Sequence, residues 1–98
     1  MTELGALTAE DFDPLVGTEF RRVAGDGHDI VLRLVEVRRR ERRSGEREVF
    51  VLLLRSQGET CLAHDTHPLS HETLGELAIF LGPVARTGDG FEYEAVFA

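Results

Sequence analysis

Between residues 61 and 71 the chain reads Cys-Leu-Ala-His-Asp-Thr-His-Pro-Leu-Ser-His, which gathers the single cysteine and three of the four histidines into one short segment. The spacing Cys61-x2-His64-x2-His67-x3-His71 supplies one thiolate and three imidazoles, the number and kind of ligands that a tetrahedral zinc shell takes. Backbone geometry limits that chemistry. On a regular strand residues 61, 67 and 71 share one face while 64 faces the other, so all four converge only if the segment is a loop. The competing reading makes them polar loop residues, with His71 bonding the backbone at the turn before Leu74-Gly75.

A second concentration of chemistry is the run from Arg38 to Glu48, six arginines and three glutamates, which leaves a balance of −10 for the rest of a chain whose net charge is −7. A β-ribbon tip of this composition fits a nucleic-acid groove. Two features disfavour that use: the whole-molecule field repels a polyanion, and no aromatic residue interleaves with the arginines to stack on bases. A protein surface is the better match, and Arg39, Arg40, Arg42, Arg43 and Arg47 are the expected contact residues. The alternative is a solvated loop whose charges pair among themselves.

Catalytic patterns are sparse. Glu92 and Glu94 lie on one face of a strand, but acids alternating with aromatic residues are what a half-buried strand displays. Ser56, Thr60, Thr66, Ser70 and Thr73 sit in no nucleophile elbow. Gly25-Asp26-Gly27 and Gly88-Asp89-Gly90 read as turns, since no helix follows either to form a phosphate loop. All 11 basic residues are arginine, so lysine chemistry, Schiff bases included, is excluded. The expectation is a protein that is not an enzyme and needs no cofactor, with zinc as the alternative.

These residues need a scaffold, and 98 residues build one core, read as a single β domain over 1–98. One cysteine cannot form an internal disulfide, so packing must hold the fold. No apolar run approaches the roughly 18 residues of a membrane span. The opening Met-Thr-Glu-Leu-Gly has neither the basic nor the apolar region of a secretory leader, and the expected location is the cytoplasm.

The clearest period of two is at the far end, where Phe91, Tyr93, Ala95 and Phe97 alternate with Glu92 and Glu94. The apolar run Leu77–Val84 precedes it across Arg86-Thr87-Gly88-Asp89-Gly90, so the two are expected to pair as a hairpin carrying much of the core. Upstream, Thr8 caps a short helical turn and Asp13 caps a second with Pro14 at its first position; Phe12 and Leu15 then point together as a plug over a β core. Strands are expected over Thr18–Val23, His28–Arg39 and Val49–Arg55. The second needs a bulge at Val35–Glu36, because the inward series Ile30, Leu32, Leu34 resumes at Val37. The apolar outer positions Val51 and Leu53 of the third call for a cover, either the plug or a partner. Pro68 fits at best an edge strand. The fold class is all-β, a small antiparallel barrel or sandwich of about six strands with a short N-terminal helical turn as its plug.

The arrangement Phe12-x-x-Leu15-x-Gly17-x-x-Phe20, Phe50-x-Leu52-x-Leu54, Thr66-x-x-Leu69-x-His71-x-x-Leu74-Gly75, Phe80-Leu81-x-Pro83-Val84 and Tyr93-Glu94-Ala95-Val96-Phe97 resembles a family of small bacterial single-domain proteins of unknown function. The resemblance covers nearly the whole chain. It does not extend to His64 and His67, where the family pattern has a polar amide and an aromatic residue. The resemblance implies genes that often lie near those for phage-tail-like collar or fibre proteins, and hence an accessory or assembly role. The function read from the sequence is a non-enzymatic structural or protein-binding module acting on a protein partner or on a second copy of itself. A zinc-binding domain is the alternative.

Overall fold

A computed structural model of the chain describes residues 7–23, 29–39 and 49–97. A four-residue helix, α1 (Ala9–Phe12), runs into a 3-10 turn over Asp13–Leu15, and six strands follow: β1 (Glu19–Val23), β2 (Asp29–Arg39), β3 (Phe50–Gln57), β4 (Asp65–His71), β5 (Gly75–Arg86) and β6 (Gly90–Phe97). Every pairing is antiparallel, and the order β1-β2-β3-β6-β5-β4 closes into a barrel. Closure removes the open edges on which a small sheet would aggregate.

The start of the chain follows its local chemistry. Asp11 accepts hydrogen bonds from the Thr8 backbone N–H at 2.8 Å and from the Thr8 hydroxyl at 3.2 Å, which fixes the first turn. Pro14 then forces the chain into the tighter 3-10 turn instead of a longer helix. Asp13 is the first residue of that turn and not its cap, and its carboxylate pairs with Arg39 at the end of β2. Gly17 ends the helical segment at φ 91°, a backbone conformation that a side chain disfavours. The chain enters β1 as the Gly17 N–H donates to the Leu34 carbonyl at 2.7 Å.

Phe12 is the plug. Its ring lies 5.8 Å from Phe50 and 5.4 Å from Phe97, and those two rings stack at 4.8 Å. Three aromatic residues from three elements thus seal one end of the barrel. Leu32, Leu34, Leu52, Leu54, Leu81, Tyr93 and Ala95 fill the interior below, all with no exposed surface. The β2–β3 register slips between Leu34 and Glu36, where the inward series predicted a bulge.

A further expectation needs correction. β5 pairs with β6 only from Gly82 to Arg86, and its first half, Gly75 to Leu81, pairs with β4. Strand stagger in a closed barrel offsets a 12-residue strand between its two neighbours, so the final hairpin is narrower than sequence adjacency implies. Among the described residues the longest ladder is instead β3–β6, from Phe50↔Phe97 to Gln57↔Gly90. Pro68 lies within β4, as the edge-strand expectation requires, with a partner on one side among the described residues. It pairs with Ala78 of β5, and the β1–β4 ladder on its other side consists of Phe20↔His71 and Arg21↔Ser70 among the described residues. A residue without an N–H is tolerated there because the described β1–β4 pairs end before it, which makes that side of β4 a local edge.

Candidate functional site

The segment from Cys61 to His71 combines a connection with a strand. β3 and β4 are not neighbours in the barrel, so residues 58–64 must cross between them. Leu62 anchors the crossing. It is buried, and its N–H donates to the Tyr93 hydroxyl at 3.0 Å. From Asp65 the chain is extended, and His67, Leu69 and His71 point inward.

Both inward histidines have their ring nitrogens committed. Nδ1 of His71 accepts the Thr73 N–H at 3.0 Å and the Leu74 N–H at 3.3 Å. Nε2 therefore carries the proton and donates to the Thr18 hydroxyl at 2.8 Å, which in turn donates to the Leu15 carbonyl. The ring also lies 4.5 Å from Phe20. Burial holds the His71 pKa below its ordinary 6.5, against the opposing pull of the Glu72 carboxylate. In His67, Nδ1 accepts from the Arg22 guanidinium at 3.1 Å and Nε2 donates to the Ala63 carbonyl at 2.7 Å. Each imidazole thus ties β4 to β1 or to the residues leading into it, across the seam with the fewest backbone pairs among the described residues. Of the two readings of His71, bonding to the backbone at the turn is the one the geometry carries.

The other two members of the cluster lie elsewhere. A Cβ added to Gly82 would sit 2.0 Å from the His64 ring, so that ring packs over the outer backbone of β5. Cys61 is exposed, its thiol directed at the Leu62 carbonyl. The four predicted ligands are therefore divided between the interior, the outer wall and the crossing. Among the described residues no three His, Cys, Asp or Glu side chains form a metal-ligand group. The zinc arrangement requires a convergent loop, and strand geometry from Asp65 onward prevents one.

Of the predicted contact arginines, Arg39 is engaged with Asp13 of the 3-10 turn. Arg40, Arg42, Arg43 and Arg47 fall outside the described residues. Val51 and Leu53 on the outer face of β3 are 9% and 4% exposed. The plug is not their cover, since Phe12 packs at the barrel end. Val51 stands opposite Arg38 and Val96, and Leu53 opposite Glu36 and Glu94.

Sequence patterning missed the apolar surface next to them. Phe80 and Val96 are 60% and 59% exposed. Gly82 of β5 pairs with Glu94 of β6, and Phe80 lies two residues before the first as Val96 lies two beyond the second. Alternation puts both on the outer wall, and Val96 also pairs with Val51. Val84, at the β5 bulge, is exposed as well. The signal was present in the sequence, because Phe80 and Val84 fall out of phase with the buried series Leu77, Ile79, Leu81.

A family described as a domain of unknown function (DUF6916) matches residues 7–97. The chain belongs to this family. The match spans the plug and all six strands of the barrel. No curated protein and no solved structure matches the chain. No helix among the described residues is long and apolar enough to cross a membrane.

Proposed function

We propose that this DUF6916 protein is a non-enzymatic protein-binding module whose docking surface is the outer wall around Phe80 and Val96. The observation that carries this reading is that two large apolar side chains on adjacent strands are each more than half exposed. Burying each against a partner would contribute roughly 1 to 2 kcal/mol. The interior histidines hydrogen-bond within the barrel, which supports a structural role for them.

The occupant we assign is a different protein with an apolar patch and a basic rim. A net charge of −7 makes two copies repel. Glu94, which neighbours the stripe, offers a partner negative charge. The setting is the cytoplasm of a bacterial cell, and the family resemblance points to a component of a phage-tail-like assembly as the partner.

A photo-crosslinking amino acid at position 80, with one at position 76 as control, tests this reading in the cells of origin. The expected product is a complex of one defined mass, formed at 80, lost in Val96→Glu, with an unchanged melt because both sites are exposed. Equal capture from both positions, or a homodimer, overturns the assignment. Changing Arg40, Arg42, Arg43 and Arg47 to serine tests the loop separately, and unaltered recovery there removes it from the contact.

A further inference from the structure

The opposite wall of the barrel carries a cleft of about 980 Å³ along the outer face of β1, β2 and β3. Its volume is that of a small-molecule site. Arg33 of β2 stands directly opposite Arg55 of β3 and directly opposite Glu19 of β1. Facing like charges are unfavourable in a ladder, and each ordinarily meets an acid. Arg55 meets Glu92 at 3.1 Å, and Glu19 lies 4.0 Å from Arg21. Arg38 and Arg39 meet Glu36 and Asp13. Arg33 alone of these has no hydrogen-bond, ion-pair or ring partner among the described residues. Val16 and Val31 border the same cleft. Gln57 and Thr60, both exposed, border it too.

From this pairing we infer that the cleft binds a small monocarboxylate with an apolar body, its carboxylate held between the Arg33 and Arg55 guanidinia and its apolar part against Val16 and Val31. Paired guanidinia present the planar forks that match carboxylate oxygens. Glu19, Asp29 and Asp89 also line the cleft, and with the net charge of −7 they disfavour a polyanion, so the ligand we assign carries one charge. The site lies on β1–β3, apart from the Phe80 and Val96 stripe, so it stands or falls independently of the docking surface.

The test is a titration of the 15N-labelled protein with benzoate, followed through the arginine Nε–H resonances, with benzamide and inorganic phosphate as parallel arms. Saturable shifts of Arg33 and Arg55 in benzoate are expected, with none in benzamide. Arg33→Gln should weaken binding at least tenfold while amide shifts outside the cleft stay in place, Arg55→Gln should do the same, and Arg86→Gln should change nothing. The proposal is overturned by equal shifts of all exposed arginines, by unchanged binding in both cleft variants, or by saturation in phosphate but not in benzoate.

Discussion

His71 shows how much one side chain can settle. Its ring accepts from two backbone N–H groups on one side and donates to Thr18 on the other, and only the neutral tautomer with the proton on Nε2 does both. Protonating Nδ1 removes the acceptor and leaves the turn amides without a partner. Because burial lowers the folded pKa below 6.5, the unfolded chain takes up the proton first. The contribution of His71 is complete above pH 6.5 and is lost as pH falls through the folded value. The melting temperature should therefore drop between pH 7.5 and 5.5, and His71→Gln should remove part of that drop. His71→Ala at neutral pH should cost about 1 to 3 kcal/mol, the penalty for buried polar groups left unpaired. A variant with the wild-type pH slope would detach the seam from this residue.

At the scale of elements, the barrel is held unevenly. β3 lies between β2 and β6 on two long ladders, whereas β1 and β4 share two residue pairs among the described residues and lean on His67 and His71. The plug shows the same economy. α1 is too short to be stable alone, and its place is set by Phe12 against Phe50 and Phe97 and by Asp13 pairing with Arg39. Phe12→Ala empties the centre of that aromatic cluster, and the loss should be about 3 to 5 kcal/mol. Near-UV circular dichroism and thermal melts would report a fall of more than about 10 °C for a domain of this size. Phe80→Ala, on the outer wall, should stay within about 0.5 kcal/mol of wild type. The bulge in β2 and the plug were legible in the sequence because both follow from local periodicity and capping. The partners of β4 and β5 were not, because stagger around a closed barrel has no local signature.

At the scale of the molecule, one interior serves all six strands, with Tyr93 buried within it and its hydroxyl tied to the crossing at Leu62. No group of strands keeps a core of its own, so the barrel should unfold as one unit. Absorbance of Tyr93, the single tyrosine, and backbone circular dichroism should give coincident transitions in urea. Separated midpoints would mean that the β4–β5–β6 meander is an independent subdomain.

The sequence by itself determined the all-β class, the inward series of each long strand and the aromatic plug, because each depends on residues a few positions apart. It could not decide where the four zinc candidates would stand relative to one another, whether Arg33 would find an acid, or that Phe80 and Val96 would share a wall. Those are distances between strands far apart in the chain, and they were set only when closure of the barrel fixed which ladders lie side by side.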